Sequence, residues 1–435
     1  MHAAYLNQGI NLIVTVLMVP LLLRHLTLPE YVLWTLFTTI GAVTLQFESA
    51  IQNASTRRLA TSFVRGNSQE IIATISAVKV AYRKLAFVVA CPIGVGGLYY
   101  LSYISGGITG PNITWAWLVF VGTYAVNYWF GVNNSILLGA GNVVSFNAVT
   151  SVTRVINIVS TYAMFRLGLT VLGICFSFSL SVAVGSATMR RLAARAVSSV
   201  IAGSRRSDSA EPDFRNAVSI PRYVLYTMSS FALYRGLFLI VATVFPKTLV
   251  GAYGLTLQAV TLIAGIALVP LQVWLNDLVR AIVSGNKRAM TEELRASVIA
   301  VNLIFVTGLL LFGLTGNWLL AVVSSKVQLV TWELRVLVFA AFLVEVNIFV
   351  LVNFLVTMRC KKFLVICLGS AALSMICEVI VARIAGASIV AMVAVPLIVQ
   401  SCICLPRLFI LVSRELATKP LMLLGQVCGR KVVEA

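Results

Sequence analysis

The chain has 435 residues, of which 60% are hydrophobic and only 11% are charged, and its mean hydropathy is +0.97. Soluble proteins carry about 25% charged residues, so this composition excludes a soluble globular protein and predicts a polytopic membrane protein. The formal net charge is +19. Because the basic residues lie in short segments between apolar runs, this excess indicates the positive-inside distribution of a membrane protein and no nucleic-acid partner.

Motifs for catalysis and for tightly bound groups are missing from the sequence. The two histidines are His2 and His25, and most of the eight cysteines fall within apolar runs, where they act as small hydrophobic residues. The sequence contains no Walker loop, dinucleotide fingerprint or Asp-x-Asp nucleotide site. We therefore predict no catalytic residues, no metal and no cofactor.

Twelve apolar runs are long enough to cross a bilayer, which takes about 20 residues each. In chain order, these runs are 3–23, 31–50, 85–104, 114–139, 144–165, 168–188, 219–245, 250–276, 298–318, 333–357, 363–382 and 387–412. A polar segment separates the sixth run from the seventh. The predicted organisation is an N-terminal six-helix lobe at 1–188, a cytoplasmic linker at 189–218, a C-terminal six-helix lobe at 219–412 and a cytoplasmic tail at 413–435.

Basic residues are distributed unequally between the two sides of these runs. The side that holds the linker and the tail carries 25 Lys and Arg residues, and the opposite side carries 6. The positive-inside rule therefore predicts that both termini are cytoplasmic. Two arginines, Arg154 and Arg235, belong to neither side and are placed near the middle of the membrane.

The two halves of the chain resemble each other. LPEYVLWTLF (28–37) is similar to VGAYGLTLQA (250–259), and MFRLGLTVLG (164–173) is similar to VARIAGASIV (381–390). With six helices per half, corresponding helices point the same way, as in transporters whose substrate site lies between two repeats. The predicted fold is all-α, with about twelve transmembrane helices in two pseudo-symmetric six-helix lobes around a central cavity.

Polar side chains within the apolar runs are the candidates for function. The fifth run carries a stripe at helical spacing: Thr150, Arg154, Asn157 and Thr161. Because an arginine at bilayer depth costs several kcal/mol, Arg154 and Arg235 need a partner. That partner is either an anionic substrate or one of the intramembrane carboxylates Glu345 and Glu378, which are themselves candidates for proton or sodium coupling. The remaining polar candidates, either sugar contacts or interhelical hydrogen bonds, are Asn7, Asn11, Asn127, Asn134, Asn157 and Tyr234.

Three segments resemble a known family. They are VPLLLRHLTLPEYVLWTLF (19–37), NASTRRLATSFVRGN (53–67) and ILLGAGNVVSFNAVTSVTRVINIVSTYAMFRLGLTVLGI (136–174). With the two-half organisation, they resemble the polysaccharide-transporter (Wzx-type flippase) family of the multidrug/oligosaccharidyl-lipid/polysaccharide exporter superfamily. One turn departs from the family pattern, because Val32 follows Tyr31 where the family commonly has glycine, whereas the second half keeps Tyr253–Gly254.

The resemblance implies a flippase and not an enzyme. Such a protein moves an undecaprenyl-diphosphate-linked oligosaccharide, a repeat unit of O-antigen, capsule or exopolysaccharide, from the cytoplasmic to the periplasmic leaflet of a bacterial inner membrane by alternating access. Arg154 and Arg235 would then neutralise the diphosphate. The implied partners are the lipid-linked oligosaccharide, membrane lipids, and the polysaccharide polymerase and glycosyltransferases of the same pathway.

Two alternatives stay open. The first is a multidrug exporter of the same superfamily, coupled to protons or sodium, whose cavity would favour cations and hence acidic residues at mid-membrane. The second is a polytopic glycan polymerase, which needs a sizeable extramembrane loop or a carboxylate cluster near an interface. The outward-facing loops predicted here are short apart from 319–332, which disfavours the polymerase.

Overall fold

The computed structural model describes residues 2–65, 68–105, 111–203, 225–226, 229–271, 278, 281–282, 284–322, 328–358, 360–384 and 388–416. Within these ranges the regular structure is helical, with no strand. The chain divides into two compact units, Met1–Thr227 and Met228–Ala435. The predicted all-α, two-lobe architecture is thereby confirmed.

In the N-terminal unit, the described residues include the helices α1 (His2–His25), α2 (Leu28–Arg65), α3 (Ser68–Ser105), α4 (Pro111–Phe130), α5 (Val132–Gly139), α6 (Val143–Arg166) and α7 (Val171–Gly203). At 1.5 Å per residue, the 38 residues of α2 and of α3 each extend over about 57 Å. This exceeds the roughly 30 Å of a bilayer core, so both helices reach beyond the hydrocarbon. Helix α7 continues to Gly203, so the first half of the segment predicted as a linker is helical, and 204–218 lie outside the described residues.

The predicted fourth run, 114–139, forms two helices that are separated at Gly131. A Cβ atom at Gly131 would lie 2.6 Å from the Tyr82 ring, so the close approach of α3 requires glycine here. The Tyr82 hydroxyl and Ser135 Oγ are hydrogen-bonded at 3.1 Å. Asn127 and Asn134, which belong to this one predicted run, therefore lie on different helices.

In the C-terminal unit, the described residues include the helices α8 (Ser229–Val244), α9 (Lys247–Ala267), α10 (Lys287–Val322), α11 (Trp332–Thr357), α12 (Phe363–Arg383) and α13 (Ile389–Leu416). Two of them are interrupted by a turn of π-helix, at Ala232–Gly236 in α8 and at Gln400–Cys404 in α13. Such turns are rare and frequently occur at functional sites. Arg235 lies on the first of them.

In the described part of the chain, nine helices are long and apolar enough to cross a membrane, and Ser229–Val244 is a shorter apolar helix. Each of the twelve predicted runs overlaps a helix in the described residues, and the fourth run overlaps both α4 and α5. The apolar runs therefore mark where the helices lie, although they did not predict the break within the fourth run or the extension of α2 and α3 well beyond their runs.

Candidate functional site

Helix α6 has a polar inner face and an apolar outer face. Its exposed positions include Val152, Val155, Val159 and Tyr162. Its buried polar positions are Asn147, Ser151 and Thr161. This arrangement, the reverse of that in a soluble protein, is expected where the outer face contacts lipid and polar groups turn towards protein or water. The polar stripe predicted from the sequence lies on the inner face.

Two members of that stripe, Asn157 and Thr161, form hydrogen bonds within α6 and from α6 to α7. The Asn157 amide donates to Ser181 Oγ at 3.4 Å, and Thr161 Oγ1 donates to Asn157 Oδ1 at 3.4 Å. Asn157 thus makes interhelical contacts, and its predicted role in sugar binding stays a prediction. Arg154 is half-buried on the same inner face.

A buried carboxylate that the sequence analysis did not select lies in the N-terminal unit. Glu48 on α2 is 7% exposed, and its Oε2 accepts a hydrogen bond from the Asn127 amide of α4 at 2.8 Å. One residue further, the Tyr128 hydroxyl donates to the backbone carbonyl of Thr44 on α2. A carboxylate in an apolar run is visible in the sequence, but its pairing across 79 positions is not.

The other predicted amides contribute less to a site. Asn134 is half-buried on α5. The side chains of Asn7 and Asn11 lie outside the described residues, although the backbone there belongs to α1.

In the C-terminal unit, Arg235 and Glu345 lie near each other but form no direct ion pair. The Nη2 atom of Arg235 donates to Thr261 Oγ1 of α9 at 3.4 Å. On α11, Glu345 Oε1 accepts a hydrogen bond from Ser230 Oγ of α8 at 2.5 Å. Their charges are close enough to act on each other. Among the described residues the partners of Arg235 and Glu345 are hydroxyls, and Glu378 has no hydrogen-bond partner. Both interpretations of Arg235, pairing with a carboxylate and pairing with a substrate, stay predictions.

Glu378 on α12 is fully buried, and neither of its carboxylate oxygens has a hydrogen-bond partner in the structure. Ser374, one turn earlier, is also fully buried, and its Oγ has no partner either. Buried polar groups are nearly always satisfied, so the Glu378 carboxylate and the Ser374 hydroxyl are exceptions within the described residues.

Tyr234 is buried and has a packing role. Its hydroxyl donates to the backbone carbonyl of Ala341 at 3.0 Å, and its ring lies 4.8 Å from that of Phe342. The hydroxyl proton is thus already used within the unit. This leaves Tyr234 only acceptor capacity for the sugar contact that we expected from the sequence.

Comparison with known proteins rests on structure, since no protein-family model and no curated protein matches the sequence. A multidrug resistance MATE family transporter in an inward-facing conformation aligns with a TM-score of 0.65 and 10% identity over 94% of this chain and 95% of the other. The lipid II flippase MurJ, in an inward closed conformation, aligns with a TM-score of 0.61 and 9% identity over 100% and 93%. A MOP superfamily transporter from Pyrococcus furiosus aligns with a TM-score of 0.58 and 10% identity over 95% of each chain.

The chain has the fold of MOP-superfamily transporters. The alignments cover nearly all of this chain and of each transporter, so the likeness includes both units. At these low identities it establishes the architecture alone.

Proposed function

We propose that this protein is a flippase for an undecaprenyl-diphosphate-linked oligosaccharide, which it moves from the cytoplasmic to the periplasmic leaflet of a bacterial inner membrane by alternating access. The observation that carries the proposal is the environment of Arg235. This half-buried cation lies on a π-helical turn and donates to the neutral Thr261 hydroxyl, with no direct carboxylate partner. A guanidinium in this situation is prepared to receive an anion.

The chemistry of a diphosphate fits such a group. The planar guanidinium presents paired N–H donors that match phosphate oxygens, and it stays charged at any physiological pH. Arg154 supplies a second cation on the polar inner face of α6. A sugar diphosphate cannot cross hydrocarbon unaided, whereas a prenyl chain can remain in lipid, so the protein must supply polar and cationic groups at membrane depth. One of the similar structures is itself a lipid II flippase.

A second candidate function is a multidrug exporter coupled to protons or sodium ions. It is favoured by Glu378, a fully buried carboxylate without a partner, and by Glu48, a second buried carboxylate. Carboxylates at membrane depth suit a cationic substrate or a coupling ion. Two of the solved structures that resemble this chain are described as multidrug resistance MATE family transporters.

Deletion of the gene separates the two functions. A flippase mutant accumulates lipid-linked oligosaccharide on the cytoplasmic side and loses surface glycan, with unchanged drug sensitivity. An exporter mutant becomes drug-sensitive with normal glycan, and that result would refute the proposal. Incubation of the purified protein with labelled lipid-linked sugar also tests the polymerase alternative, because a polymerase forms a new glycosidic bond and a flippase does not.

Replacement of the two arginines tests the site itself. We expect Arg235→Ala and Arg154→Ala each to reduce glycan export by about 10-fold or more, since a hydrogen bond to a charged group contributes roughly 1.5–3 kcal/mol. Arg235→Lys keeps the positive charge but removes the paired N–H donors of the guanidinium. We expect this variant to export more glycan than Arg235→Ala and less than the wild type. Arg288→Ala is the matched control, because Arg288 is exposed and bonded to Glu292 at 3.1 Å. Wild-type surface glycan in both alanine variants would rule out the diphosphate site.

A further inference from the structure

A cation is held against an aromatic ring at one end of the N-terminal unit. The Arg83 guanidinium of α3 lies 4.6 Å from the ring centroid of Trp129, near the end of α4. Phe87, one turn after Arg83, packs edge-to-face on the same indole at 6.3 Å. Phe87 and Trp129 are 64% and 38% exposed. We call Arg83, Phe87 and Trp129, with the neighbouring Lys79 and Lys84, the Arg83 cluster.

The helices around Arg83 supply no carboxylate to balance its charge. Neither α4 nor α5 contains Asp or Glu, and the acidic residue of α3, Glu70, lies thirteen positions earlier, which is about 20 Å along the helix. Glu48 of α2 is already bonded to Asn127. The Arg83 Nε is buried and has no hydrogen-bond partner. The aromatic face thus orients the guanidinium.

The flanking residues indicate the depth of the cluster. Lys79 and Lys84 are exposed, whereas Phe87 begins the apolar part of α3. Tryptophan and basic residues concentrate where hydrocarbon meets the headgroup region, because one end of each side chain is apolar and the other is polar. The charge distribution predicts that the part of α3 before the apolar run, 68–84, lies on the cytoplasmic side. The cluster therefore combines three positive charges with exposed aromatic rings at headgroup depth.

We propose that the Arg83 cluster binds the phosphate group of an anionic phospholipid, such as phosphatidylglycerol, in the cytoplasmic leaflet. The guanidinium donates to the phosphodiester oxygens in the paired geometry that arginine forms with phosphate. Lys79 and Lys84 add attraction to the anionic headgroup. The acyl chains lie along Phe87 and Trp129. This site is separate from the arginines of the proposed transport site and does not depend on the function proposed above.

Native mass spectrometry of the full-length protein in non-ionic detergent tests the proposal. The protein is titrated with phosphatidylglycerol, phosphatidylcholine or undecaprenyl diphosphate, and the dissociation constant of the first bound lipid is measured. We expect phosphatidylglycerol to bind more tightly than phosphatidylcholine. Arg83→Gln should weaken the binding of phosphatidylglycerol by about fivefold, which is the factor expected for one basic residue near an anionic headgroup. Added salt should reduce the difference between the two phospholipids.

Three further variants complete the test. Arg288→Gln removes an exposed arginine that already has the Glu292 carboxylate, so it should leave lipid affinity unchanged. Arg83→Lys keeps the charge and should lose less affinity than Arg83→Gln. Lys84→Gln changes an exposed side chain and gives a measurement even where Arg83→Gln does not fold.

Several results would overturn the inference. Equal affinity for the two phospholipids, or affinity for phosphatidylglycerol that is unchanged in both Arg83→Gln and Lys84→Gln, would show that the cluster is not a phosphate site. Undecaprenyl diphosphate could bind far more tightly than phosphatidylglycerol and lose more affinity in the Arg83→Gln variant. That result would assign the cluster to the carrier lipid and refute the phospholipid assignment.

Discussion

Replacement of Glu378 by methionine should stabilise the protein in the absence of sodium and abolish its response to sodium. Glu378 is fully buried on α12, and both carboxylate oxygens lack a partner. Methionine is unbranched, similar in length and adaptable in packing, so it fills the same space without a polar group. The prediction tests whether the carboxylate is there to bind a small cation or a proton.

The magnitude follows from the two unpartnered oxygens. A buried polar group without a hydrogen bond costs roughly 1–3 kcal/mol, and more when charged. We therefore expect Glu378→Met to raise the free energy of unfolding by about 1–3 kcal/mol in sodium-free buffer. The same change at Glu345 should have the opposite sign, because it removes the acceptor of the Ser230 hydrogen bond.

The assay is thermal unfolding of the full-length protein in detergent, with choline chloride and sodium chloride compared at equal ionic strength. A ligand that binds the folded state at 100 times its dissociation constant stabilises by about 2.7 kcal/mol. Sodium should therefore raise the midpoint of the wild type and not that of Glu378→Met. A wild-type midpoint that follows pH and not sodium identifies the proton as the occupant.

Two outcomes would refute this reasoning. If Glu378→Met unfolds at a lower temperature than the wild type in choline chloride, the carboxylate is bonded within the protein. An equal sodium shift in the wild type and the variant means that any sodium site lies elsewhere.

Two further predictions concern packing and polar pairing. A Cβ at Gly139 would lie 2.6 Å from Leu59 Cβ, so Gly139→Ala should destabilise by roughly 1–3 kcal/mol. Gly122→Ala, where a Cβ meets nothing within 4 Å, should not, and equal thermal midpoints for the two variants would contradict the packing argument. Asn127→Leu removes the amide that donates to the buried Glu48 and should lower stability by about 1–3 kcal/mol or more. The double variant with Glu48→Leu should recover most of that loss in the same unfolding assay, and a further loss would contradict it.

The candidate site was only partly predictable from the sequence. Arg154 and Arg235 stand out because few basic residues occur deep within apolar runs, and the spacing from Thr150 to Thr161 places Arg154 on one helical face. The partner of Arg235 was not predictable, because direct pairing with a glutamate and pairing with a substrate leave the same sequence pattern. The structure gives Arg235 the Thr261 hydroxyl, and it gives Glu345 the Ser230 hydroxyl.

The sequence by itself determined the all-helical membrane fold, the positions of the helices and the two similar halves. These properties follow from hydropathy and residue spacing, which are local and can be read along the chain. Only the tertiary structure decided which polar groups meet. Asn127 satisfies Glu48 across 79 positions, and Glu378 remains without a partner on α12. Such pairings depend on how helices that are distant in sequence pack, and no periodicity within one helix encodes that arrangement.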